Sequence, residues 1–259
     1  MKNKVILVLK IVLETFAFWA FWFVAIEGAA ACIENIIIQE DVRDFIESAE
    51  YEKTEGLYHY YAVYTDEIIE ETITYDHLGN PNLGATGDIF YAAKSYMDVA
   101  PFTAEFLGFY FGGHAGIIGY DEERKVNQLV EALGGSFDES YVDLTKTSDI
   151  LKVDDRNYVG LRVKAPIQDR QKAWDYALTR VGKPYNYLFI INTKERYYCT
   201  DLVARCYGKE AGMNYKIEWN GFATSTQDIH LSNDTYISFV KIKIGKEYHI
   251  YYLKTRTES

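Results

Sequence analysis

Short runs dense in β-branched and aromatic residues recur along the chain, and they limit its fold more than any other feature. "YHYYAVYT" (58–65), "GHAGIIGY" (113–120), "KVNQLVEAL" (125–133), "NYVGLRVKA" (157–165), "TYISFVKIKI" (235–244) and "EYHIYYLK" (247–254) all have strand character. "GDIFYAA" (87–93) adds a short buried strand. "EIIEETITYD" is expected to pair with "YHYYAVYT". Helical spacing is confined to a few stretches. "IIIQEDVRDFIESAEYEK" (36–53) sets Ile38, Val42, Phe45, Ile46 and Ala49 on one face and acids on the other. "PIQDRQKAWDYALTRVG" (166–182) has Pro166 at its start, Ala173, Trp174, Ala177 and Val181 as an apolar stripe, and Gly182 at its end. A third helix is expected from Cys199 to about Gly212. Many strands with few helices make an α+β fold.

The N-terminus stands apart. "MKNKVILVLKIVLETFAFWAFWFVAIEGAAAC" has two early lysines, a long apolar run and small residues before Cys32. Residues 5–26 suffice to span a bilayer, which takes about 20 residues. Lys10 and Glu14 interrupt the run one helical turn apart, close enough to pair. Ala29 and Ala31 fit a small-x-small cleavage pattern, whereas "AAAC" lacks the branched residue of a lipoprotein box. Residues 1–31 are therefore expected to be a signal peptide or membrane anchor, with the protein exported or anchored and extracytoplasmic. A buried hydrophobic helix is the alternative. The expected division is then 32–85, an N-terminal helix and strand extension, and 86–259, the main domain.

Charge and cysteine content exclude some functions. At a net charge of -11 the chain repels phosphate backbones, which argues against nucleic-acid binding. Cysteines at 32, 199 and 206 do not form a disulfide framework. On one helix, Cys199 and Cys206 would stand about 10 Å apart along the axis, and a bridge needs Cα atoms within about 7 Å. There is no CxxC and no His/Cys group with zinc spacing, so neither a metal nor a cofactor is implied.

Cys199 in "ERYYCTDLVARCYG" is the residue with chemical promise. At a helix N-terminus beside a protonated histidine, a thiol pKa falls from about 8.5 to roughly 3.5–7.5. It is also compatible with a packed core cysteine, since Leu202, Val203 and Cys206 share its helical face. Of the histidines at 59, 77, 114, 230 and 249, only His114 lies in a tight glycine-rich strand with a carboxylate in prospect. If "DEER" turns on a two-residue loop, paired positions sum to 245 and His114 faces Glu131 directly. Such a pair supplies a base and its orienter, although each residue alone fits a structural role.

The ordered set "GDIFYAA", "GHAGIIGY", "QLVEALG", "GKPYNY" and "YYCTDLVARCYG" resembles the circularly permuted branch of the NlpC/P60 superfamily, the YiiX-like papain-fold proteins. The likeness covers about 87–232, with "STQDIHLS" matching the segment after the catalytic helix. In that branch the His and polar residue precede the Cys. The resemblance implies a permuted papain-like fold, with an antiparallel sheet packed on helices that include one starting at the nucleophile. It implies Cys199 as nucleophile, His114 as general base, Glu131 as orienter and Tyr185 near the oxyanion, and the Cys199 N–H could be a second donor there. Asp201 matches a frequent polar residue and equally suits a helix first turn. The implied activity is a cysteine peptidase or amidase on peptides or other small amides, including cell-wall peptides. A lipid-acting acyltransferase or thioesterase on the same triad, with membrane contact through the N-terminus, is the second reading. A non-catalytic binding module is the third. Two features depart from the compact relatives: about 85 residues precede "GDIF", and "KSYMDVAPFTAEFLGFYFG" (94–112) is long and aromatic, suiting a lid, a membrane-facing flap or a pocket wall.

Overall fold

A computed structural model describes residues 2–75, 81–92, 113–123, 125–134, 140–146, 157–189, 193–217 and 224–256. The aromatic segment 94–112 lies outside them. The chain opens with a single helix, α1 (Lys2–Glu47), 46 residues long and roughly 70 Å end to end. It runs through Ala29–Cys32 without a break. Phe16, Trp19, Phe21 and Trp22 are exposed on it, and Lys10 lies 3.7 Å from Glu14. This helix is long and apolar enough to cross a membrane.

The strands are β1 (Glu50–Glu55), β2 (Tyr58–Thr65), β3 (Ile73–Tyr75), β4 (Pro81–Leu83), β5 (Ile89–Ala92), β6 (His114–Asp121), β7 (Val126–Ala132), β8 (Val142–Lys146), β9 (Tyr158–Val163), β10 (Thr235–Ile244) and β11 (Glu247–Thr255). All but β3 and β4 join one sheet in the order β1-β2-β11-β10-β9-β5-β6-β7-β8. Helices α2 (Ile167–Leu178) and α3 (Cys199–Cys206) cover one face. Their Ala173, Trp174, Leu202 and Val203 pack with Ile89, Ile117, Val130 and Leu161. The other face carries a second core of Tyr60, Leu83, Phe90, Ile118, Leu129, Tyr158, Phe239 and Ile250.

Four expectations need correction. The helix expected over 36–53 ends at Glu47, because Glu50–Glu55 pairs with β2 as the edge strand. "YHYYAVYT" pairs with β1 and β11, while Ile73–Tyr75 pairs with β4 instead. The sheet is mixed rather than antiparallel, since β2 and β11 run parallel, Tyr58 opposite Tyr248 through Thr65 opposite Thr255. Helix α3 stops at Cys206, and a 3-10 turn at 209–211 carries the chain to Gly212, whose φ of +74° ends it.

Two glycines allow the helices to sit close. A Cβ on Gly119 would come within 2.0 Å of the Trp174 ring, so β6 can accept α2 only with glycine there. Gly87 has a φ of +85°, and its carbonyl accepts the Tyr207 hydroxyl from beyond the end of α3. Next to it, buried Asp88 accepts two 2.8 Å hydrogen bonds from Arg162 on β9.

Candidate active site

Cys199 is the first residue of α3, on the edge of burial. Its N-cap, Tyr198, is extended and offers no side-chain cap, which leaves the first-turn N–H groups to other acceptors. Two of Cys199's neighbours are tied to one residue. The Thr224 N–H donates to the Tyr198 hydroxyl at 2.9 Å, and the Thr200 hydroxyl donates to the Thr224 carbonyl at 2.5 Å. Thr224 leads into α4 (Thr226–His230), which starts on a Ser225–Asp228 capping box. The pre-α4 segment thus fixes the rotation of the turn that carries the thiol. No motif in the sequence marks Thr224 for this.

His114 begins β6 and is buried. Its Nε2 lies 2.5 Å from Glu131 Oε2 on β7, a carboxylate that is itself buried. The hairpin register differs from the expected one. Glu131 stands opposite Gly116, so paired positions sum to 247, and the tip is four residues long. The slip is by two residues, and a side-chain period of two keeps His114 and Glu131 on one face. They meet diagonally, which a long glutamate can reach. A slip by one would have separated them.

The imidazole also hydrogen-bonds Cys199. With Nε2 occupied by Glu131, Nδ1 is the nitrogen left for the thiol. Burial by itself disfavours the imidazolium, but the bonds to Cys199 and Glu131 and the negative charge of both outweigh it. The His114 pKa is pushed up to about 10. Burial also opposes the Cys199 thiolate. The hydrogen bond and charge of His114, with the N–H groups of Ala115 and Thr200, outweigh it and lower the thiol. The two shifts describe one thiolate–imidazolium pair. Cys206, two turns along the same helix, has no such partner, and burial pushes its thiol up.

Tyr185 is buried beside this pair, packed edge-on to Phe189 and tilted against Tyr187 at 4.9 Å between ring centres. Burial first, and then negative charge at Cys199, raise its hydroxyl, which therefore remains a donor. A backbone bridge between Tyr185 and Tyr197 places it next to the residues leading into α3. Asp201 serves the helix. Its carboxylate accepts a 2.7 Å bond from Arg205 one turn on, and Arg205 lies over the Tyr197 ring. The structure thus gathers Cys199, His114, Glu131 and Tyr185 in one place, and Asp201 faces Arg205.

Residues 85–234 match the family described as permuted papain-like amidase enzymes, YaeF/YiiX, C92. No curated protein matches the chain. Among solved structures, it is similar to the crystal structure of the metalloprotein YiiX from Escherichia coli O157:H7, at 20% identity and a TM-score of 0.44, over 59% of this chain and 95% of that one. The family match spans more than half of the chain, so the chain belongs to the permuted papain-like amidases of the YaeF/YiiX, C92 family.

Proposed function

We propose that Cys199 is the nucleophile of an amide-hydrolysing centre, with His114 as acid–base, Glu131 as its orienter and Tyr185 as an oxyanion donor. The observation that carries this is one buried imidazole with Glu131 on its Nε2 and Cys199 as a second partner. The thiolate attacks the amide carbonyl, and the tetrahedral oxyanion is met by the Tyr185 hydroxyl and a first-turn N–H of α3. The imidazolium gives its proton to the departing amine, which leaves a thioester on Cys199. Neutral His114 then takes a proton from water, and the resulting hydroxide frees the acid and restores the thiol pair.

We read the substrate as a peptide or other small amide on the outer side of a membrane, with α1 as signal or anchor, and cell-wall peptides as the first class to screen. The exposed apolar length of α1 supports a second reading, acyl transfer to or from lipids by the same residues.

The test is the rate of iodoacetamide alkylation against pH for the full chain, with Cys199→Ala and His114→Ala alongside. One thiol should react well below pH 8, vanish in Cys199→Ala and lose its low-pH reactivity in His114→Ala. A Cys199 inert until unfolding would refute the nucleophile and leave a binding role. Turnover of peptide amides against lipid extracts then separates the two substrate readings.

A further inference from the structure

A second chemical centre lies at the far side of the sheet. His59 on β2 and His249 on β11 are directly paired in the parallel ladder, their rings stacked 4.8 Å apart. Glu247, two residues before His249 on β11, projects from the same sheet face. One donor atom from each of the three lies within 4.8 Å of the others, the sole such group among the described residues.

The hydrogen bonding around the rings favours a metal over a simple ion pair. His59 Nδ1 is 2.9 Å from the Thr54 hydroxyl, which in turn is 3.1 Å from the Tyr51 hydroxyl. His249 Nδ1 is 3.2 Å from the Tyr61 hydroxyl. With both Nδ1 atoms taken by hydroxyls, both Nε2 atoms are left as donors. His59 Nε2 is shut off from solvent and lies 3.3 Å from Glu247 Oε2, yet makes no hydrogen bond. A metal-ligating imidazole ordinarily has an outer hydrogen-bond partner on its other nitrogen that fixes the ring, and hydroxyls fill that place here.

We propose that His59, Glu247 and His249 bind a divalent d-block cation, with Zn²⁺ the best fit. Two imidazoles and one carboxylate suit zinc and its neighbours better than calcium or magnesium. Zinc bonds of about 2.1 Å place tetrahedral donors about 3.4 Å apart, a spacing that His59 Nε2 and Glu247 Oε2 at 3.3 Å already match, so only the wider gaps to His249 close, by at most about 1.4 Å, and water takes the fourth position. Glu247, with a side chain 55% exposed, has room to swing inward. Four strand spacings separate β11 from β6, about 19 Å, so this centre stands apart from Cys199. All three ligands also fall outside the segment matched to the family. The ion would join β2, the second strand after α1, to the last strand.

The experiment uses the full chain in detergent carrying Cys199→Ala, so that no active-site thiolate contributes. After chelator stripping, Zn²⁺ is titrated against a competing dye, and Co²⁺ is added for its visible absorption. We expect one tight equivalent per chain. Loss of His59, His249 or Glu247 (each to Gln) should weaken it more than about 100-fold, and Tyr61→Phe, which removes only an orienting hydroxyl, by roughly 10–100-fold. Zn²⁺ should raise the Tm of the parent and not that of Glu247→Gln, a surface change that spares the core. No tight equivalent in the Cys199→Ala chain, or affinity unchanged in Glu247→Gln, would overturn the site.

Discussion

Two cysteines on one short helix show how far a residue's chemistry depends on what touches it. Cys199 has His114 and two N–H groups, and its thiol is lowered; Cys206 is enclosed with no imidazole to bond it, burial outweighs the pull of the Arg180 charge, and its thiol is raised. The pH profile follows with a definite sign. Activity should rise as pH climbs through the depressed thiol pKa, because the thiolate forms. It should fall near pH 10, where His114 loses the proton that the leaving amine needs. In Glu131→Gln the carboxylate that holds the imidazolium is gone, and the alkaline limb of kcat/KM should move down by about 1–3 pH units. Tyr185→Phe should lower kcat by about 10²–10³-fold with the limbs in place, the mark of a lost oxyanion donor. Away from the site, Asp88→Ala leaves Arg162 charged and buried without its partner. Chemical denaturation should show a loss of about 3–5 kcal/mol. At this scale spacing and family likeness point to His114, Glu131, Tyr185 and Cys199, and the structure brings the four together. The clamp by Thr224 could not be foreseen, because it acts through backbone groups, which leave no side-chain pattern to read.

Elements were legible where their own residues decide them and opaque where a distant partner does. The strand of β2 coincides with "YHYYAVYT", and α2 lies within 166–182, because alternation and helical spacing are local. The edge strand β1, "EYEKTE", has no such pattern. It is extended because β2 holds it, a contact that overrides its helix-like lead-in. The β6–β7 register escaped for a related reason: a charged tip without Asn-Gly does not fix loop length. Close approach of elements makes a sharper prediction. Gly119→Ala forces a methyl into the Trp174 ring, and lifting α2 from β6 should cost about 1–3 kcal/mol, read as a lower Tm. Helix α1 is held at its C-terminal part. Asp41 reaches His230 Nε2 at 3.5 Å, while the Tyr91 hydroxyl bonds Nδ1 at 2.8 Å. Its apolar part reaches into solvent, so the full chain should stay with membranes through an alkaline carbonate wash.

For the whole molecule, the sheet joins segments that the sequence suggested were separate. Residues 50–65 read as an appendage before the family-like region, yet β2 lies inside the sheet, between β1 and β11. The parallel pairing could not be foreseen from either strand alone, since both look like ordinary half-buried antiparallel strands. That pairing also governs the order of folding. Tyr61 and His249 touch across 188 residues of chain. As the chain leaves the ribosome, the β1–β2 hairpin has no interior neighbour until nearly everything else has been made. A long closure of this kind slows folding, and through that wait the inner edge of β2 is an open strand beside an apolar helix. Export or membrane insertion of α1 during synthesis would keep that unfinished edge away from other copies, so delayed targeting should appear as aggregation rather than as soluble, inactive protein.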